Sequence, residues 1–140
     1  MKVKNAGDHV VPLSTQAVAL LKELKEINGH SINNASPQWL FPNSRRANDC
    51  MTATTINRAL ERMGFNGNDT IGFSAHGFRG TASTLLHEQG FRPEVIEAQL
   101  AHKEGNAVKA AYNKAKYMGE RTTMMQQWAT YIDKIGRAHV

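Results

Sequence analysis

The sequence predicts a mainly α-helical domain with a small N-terminal β-hairpin, an α+β arrangement, and three observations point to it. Short β-branched runs flank a polar turn within residues 1–13, apolar residues recur at helical spacing through most of the remaining chain, and glycines interrupt that pattern at Gly29, Gly64, Gly90 and Gly119. At 140 residues the chain suits one domain with a real hydrophobic core.

The hairpin is read from MKVKNAGDHVVPL, where Asn5-Ala6-Gly7-Asp8 makes the turn, Val3 and Val10-Val11 supply strand residues, and Pro12 ends the second strand. Ser14 then caps a helix with Ala17, Leu20, Leu21, Leu24 and Ile27 on its inner face and Lys22, Glu23, Lys25 and Glu26 outside, stopped by Asn28-Gly29. Residues 30–48 form a long connection with Pro37 and Pro42, and Trp39-Leu40-Phe41 is a short extended piece within it. A second helix starts at Thr52 with Ile56, Ala59, Leu60 and Met63 inward and ends at Gly64. After the FNGNDT loop the reading is nearly all helical, over 75–89, 94–102, 106–117 and 119–135. Met124, Met125, Trp128, Tyr131, Ile132 and Ile135 form an apolar stripe on the last helix, which is suited to folding back on its own domain or to docking on a neighbour. Trp39 and Trp128 are expected as core anchors.

Lys plus Arg exceed Asp plus Glu by 17 to 12, a formal charge of +5 that favours a polyanionic partner. Cys50 is the single cysteine, so an internal disulfide and a cysteine-rich zinc site are excluded, and a reducing compartment is the simplest home. The sequence contains no apolar run approaching the roughly 20 residues of a membrane span. No cofactor or metal is expected, because neither a phosphate-cradling glycine loop nor a metal-ligand cluster stands out in the sequence.

Two stretches carry chemistry. In SAHGFRGTAS and the TLL that follows it, Phe78, Ala82, Leu85 and Leu86 gather on one side of a helical wheel, while His76, Arg79, Gly80 and Ser83 fall on or beside the opposite edge. Small residues between hydrogen-bonding side chains let a phosphate approach, the helix N-terminus adds N–H groups, and a guanidinium fits two phosphate oxygens. Alone, this HxxR pattern is more simply read as a surface salt bridge by Arg79 and a capping role for His76. In LAHKEGNAVKAAYNKA, His102 ends one helix and Tyr112 lies in the next, with Lys109, Lys114 and Lys116 near it in sequence. A phenol attacks at neutral pH only with help in losing its proton. Alone, Tyr112 also fits a core position beside Val108 and Ala115.

Taken together, the ordered pieces resemble the tyrosine recombinases, and within them the phage and prophage integrases of the satellite-phage type. VKNAGDHVVPLSTQAVALL resembles the family's hairpin and the helix after it, SAHGFRGTASTLLHEQG its HxxR helix, and LAHKEGNAVKAAYNKAKY with MMQQWATYID its terminal nucleophile region. The resemblance implies that Tyr112 is the nucleophile, that Arg79 and His76 bind the scissile phosphate, and that His102 adds a further donor. Lys4 matches the hairpin lysine that protonates the leaving 5′ oxygen, with Lys2 taking that place if the turn is two residues longer.

It also implies a partial catalytic domain for site-specific DNA recombination through a 3′-phosphotyrosyl link. Its organisation would be the hairpin over 1–13, a helical core carrying the catalytic residues over 14–118, and a C-terminal helix and tail over 119–140. The partners implied are duplex attachment-site DNA, three further copies in a homotetramer on DNA, and accessory DNA-bending factors. The implied location is the cytoplasm, on the nucleoid, without a membrane. One departure is that the family's phosphate-binding arginine upstream of the hairpin, and the DNA-clamping domain before it, have no counterpart in this sequence. The chain is therefore expected to be a fragment with little cleavage activity of its own. The alternative is a catalytically silent DNA-binding module, whose affinity would survive Tyr112→Phe.

Overall fold

The computed structural model describes residues 9–29, 39–43, 45–46, 49–100 and 117–137. Five helices occur among them: α1 (Thr15–Gly29), α2 (Thr55–Arg62), α3 (Ala75–Glu88), α4 (Pro93–Leu100) and α5 (Met118–Arg137). The chain divides into two compact units, one of Met1–Thr15 and Ala82–Val140, the other of Gln16–Thr81. The division falls within α3, so His76 and Arg79 belong to the second unit.

The first unit has its core where α4 packs on α5. Leu86, Val95, Ile96 and Met124 are buried there, with Phe91, Leu100, Tyr117, Met125 and Trp128 packed around them. Pro93 opens α4 at the first helical position, where its missing N–H costs nothing. Arg92 reaches from the turn before α4 to Glu120 at 3.3 Å and lies over the Tyr117 ring at 5.6 Å. On α5 the start of the predicted apolar stripe is covered by this unit, whereas Ile132 and Ile135 are exposed. The threonines of α5 accommodate the helix by returning their hydroxyls to carbonyls one turn back, Thr122 to Met118 at 2.8 Å and Thr130 to Gln126 at 3.0 Å.

The second unit contains α1, α2 and the opening of α3. The expected extended piece at Trp39-Leu40-Phe41 leads into one isolated antiparallel bridge, Pro42 with Cys50, supported by the Met51 N–H donating to the Phe41 carbonyl at 2.8 Å. Trp39 is exposed, against the expectation of a core anchor. α2 starts at Thr55 instead of Thr52, because the earlier threonines close a turn in which the Thr55 N–H donates to the Thr52 carbonyl at 3.0 Å.

Two helices end in the same way. After α2 the Gly64 N–H donates to the Glu61 carbonyl and the Phe65 N–H to the Leu60 carbonyl; after α3 Gly90 and Phe91 do the same toward His87 and Leu86. This is the Schellman closure, which needs a left-handed residue, and Gly64 and Gly90 supply it with φ of 79° and 81°. In both cases the following phenylalanine bonds back to the carbonyl of a buried leucine.

The predicted hairpin over 1–13 requires correction. Among the described residues there is no strand, and residues 9–14 run into α1 without strand pairing. The Val10 carbonyl, which a hairpin would offer to a second strand, instead accepts a hydrogen bond from Arg121 Nη2 at 2.6 Å. The regular secondary structure among the described residues is therefore helical apart from the single bridge. Residues 1–8 and the predicted helix over 106–117, save its last residue, lie outside the described residues.

Candidate functional site

The opening of α3 is built from local decisions. Asn57 on α2 accepts the Ala75 N–H at 2.7 Å, capping α3 from a neighbouring helix, and the Ser74 carbonyl accepts the Gly77 N–H at 2.8 Å. Two of the N–H groups that a helix start can offer to an anion are thus engaged within the chain. A phosphate approaching this helix start would meet mainly side chains.

Those side chains stand one turn apart. His76 is exposed and Arg79 is half-buried on α3, followed by the exposed Gly80. The two glycines flanking them have different surroundings. A Cβ at Gly77 would sit 2.8 Å from Phe73 Cε2, so this glycine makes room for an aromatic ring. At Gly80 nothing among the described residues lies within 4 Å of the same position. Room for a further group is therefore present at Gly80 among the described residues and absent at Gly77.

Phe78 also departs from its predicted place. It is 55% exposed and meets Phe73 edge to face at 4.8 Å between centroids, rather than joining the buried Leu86. The helical wheel separates the His76 and Arg79 edge correctly but assigns Phe78 to a covered face. His87, one turn beyond Ser83, places Nδ1 at 2.7 Å from the Ser83 carbonyl; since a carbonyl only accepts, the ring nitrogen is the donor. That local bond accounts for His87 without a site. In the loop before α2, Arg46 pairs with Asp49 at 3.6 Å, with both groups well exposed.

Lys4, His102 and Tyr112 lie outside the described residues. The structure therefore brings together two of the five predicted site residues, His76 and Arg79. Among the described residues no group of His, Cys, Asp and Glu is arranged to hold a metal ion, and no helix is long and apolar enough to cross a membrane.

Two residues that sequence reasoning passed over have clear positions. Asn57 caps α3 through a tertiary contact that no local pattern announces. Arg121 is 1% exposed and occupies the apolar stripe of α5, three residues before Met124 and seven before Trp128. A cation in that register was the available signal. Burial pushes its guanidinium below the usual arginine pKa, because desolvation disfavours the charged form.

Comparison with known proteins adds an independent line. The family model described as the phage integrase family matches residues 1–118. The chain is 40% identical over 131 residues to the prophage integrase IntA of Escherichia coli K12, covering 94% of this chain and 29% of that protein. It is 41% identical over 135 residues to the integrase of enterobacteria phage P4, covering 95% and 28%, and 41% identical over 134 residues to the prophage integrase IntZ of Escherichia coli K12, covering 95% and 30%. The chain thus spans less than a third of the length of these curated relatives. No solved structure gives a significant match.

Proposed function

The chain belongs to the phage integrase family, and on that premise we propose that it serves site-specific DNA recombination, integrating or excising a prophage through a 3′-phosphotyrosyl intermediate. The single observation that supports this best is the placement of His76 and Arg79 one turn apart on α3, next to Gly80, whose side-chain position meets nothing among the described residues within 4 Å. A guanidinium fork and an imidazole one turn apart suit the nonbridging oxygens of a phosphodiester.

In this reading the Tyr112 phenol passes its proton to solvent water and its oxygen bonds to the scissile phosphorus, while the bond from phosphorus to the 5′ oxygen breaks. The energy of the phosphodiester is retained in the new link, so a second strand can attack it later without a nucleotide cofactor. Arg79, His76 and His102 stabilise the negative charge that grows on the nonbridging oxygens. Lys4 gives a proton to the 5′ oxygen, which otherwise leaves poorly as an alkoxide. Duplex attachment-site DNA is the substrate, a homotetramer on two duplexes the working assembly, and DNA-bending factors the accessory partners. Residues 1–13, 14–118 and 119–140 act as lysine-bearing segment, catalytic helices and C-terminal helix of one partial catalytic domain.

The test places this chain in the phage P4 integrase in exchange for the matching residues and offers the graft a nicked attachment-site duplex. A covalent protein–DNA adduct with Tyr112 that disappears in Tyr112→Phe supports the reading. A graft that binds the duplex equally with either residue and never forms the adduct favours the silent binding module instead.

A further inference from the structure

Around Gln99, near the end of α4, four side chains tie three stretches of the first unit together. His9 Nε2 donates to the Gln99 carbonyl at 3.0 Å, and Arg121 Nε donates to Gln99 Oε1 at 2.8 Å. Arg121 Nη2 donates to the Val10 carbonyl, and the Thr15 N–H donates to Gln126 Oε1 on α5 at 2.9 Å. We propose that Arg121 is a positioning residue, clamping the segment from His9 to Leu13 onto the C-terminal turn of α4.

Energetics and geometry both support this role. Arg121 lies in the apolar stripe of α5, where a methionine or leucine would bury without any desolvation cost. Among the described residues its two acceptors are a side-chain amide and a backbone carbonyl, both neutral, so what this region offers the guanidinium is hydrogen bonding and not an ion pair. What the guanidinium provides and an apolar residue would not is two donors at fixed angles, directed at two different stretches of chain. Gln99 is the shared member, since its side chain meets Arg121 while its carbonyl meets His9. Lys4 stands five residues before His9 and His102 three residues after Gln99, so the clamp joins the two stretches of sequence leading to them. That relevance to strand cleavage rests on the recombinase reading; the clamp itself does not.

The test uses the 140-residue chain labelled with ¹⁵N. Because a carbonyl only accepts, the clamp holds the proton on His9 Nε2, which ring nitrogen shifts report directly. In Arg121→Met the His9 nitrogens are expected to move to the averaged values of a free imidazole, and exchange of the Thr15 amide, whose N–H is the bonded one at the end of this segment, to accelerate about tenfold or more. Arg121→Lys, with one compact donor group, should fall between. Leu86→Ala should lower the thermal midpoint and leave the His9 signals in place. Should Arg121→Met fail to fold, Gln99→Met is the second variant and should loosen the same segment. Wild-type His9 shifts and exchange in the Arg121 or Gln99 variant, or equal changes in Leu86→Ala, would overturn the clamp. None of these measurements involves DNA, so that failure leaves the recombinase proposal standing, whereas loss of the Tyr112 adduct result removes the latter alone.

Discussion

Gly77 and Gly80 are three positions apart on α3, and substituting each with alanine should have opposite effects. Gly80→Ala places a methyl where nothing among the described residues lies within 4 Å, so helix propensity should raise stability by about 0.5–1 kcal/mol in thermal denaturation. If a phosphate occupies the space beside Arg79, the same change should weaken DNA binding in a gel-shift titration. Gly77→Ala drives a methyl into Phe73 and should cost about 1 kcal/mol, with loss of the Phe73–Phe78 ring contacts in NMR spectra. At this scale the sequence was legible where chemistry declares itself on a surface: His76 and Arg79 are polar residues on the accessible edge of a helical register. It was less legible where a residue answers to a distant partner. Phe73 explains Gly77, and Asn57 caps Ala75 across 18 residues of sequence.

Helices α2 and α3 show how far local pattern carries. Their C-terminal ends were readable because a glycine follows each apolar run, and a left-handed residue at that place is nearly always glycine. Gly64→Ala and Gly90→Ala should each cost about 1–2 kcal/mol in chemical denaturation, since φ near 80° strains any residue with a Cβ. An unchanged midpoint would show that these ends relax into another closure. Periodicity also gave the face of each helix, but it cannot say what covers that face. Leu20, Ile27, Ile56 and Met63 sit at inward register positions and are exposed, while Leu60 and Met124 are buried. The N-terminal hairpin misled for a related reason. A β-branched run favours a strand, but a strand also needs a partner, and the Val10 carbonyl takes its hydrogen bond from a guanidinium on α5.

For the whole molecule, the core formed by α4 and α5 makes the C-terminal helix part of the fold. Met124 is fully buried against Leu86, Val95 and Ile96, so deleting residues 119–140 should abolish cooperative unfolding of that unit. Light scattering and calorimetry showing an intact, folded truncation would contradict this. With a formal charge of +5, the proposed DNA binding should rest on phosphate contacts and fall steeply between low and physiological salt. The proposed strand cleavage would require in addition that Tyr112 form a covalent bond to a DNA phosphate. The most direct measurement is denaturing electrophoresis of the P4 integrase graft with a labelled, nicked attachment-site duplex. A slow-migrating, protease-sensitive adduct that vanishes in Tyr112→Phe is the predicted result; an adduct that persists in Tyr112→Phe would contradict the account.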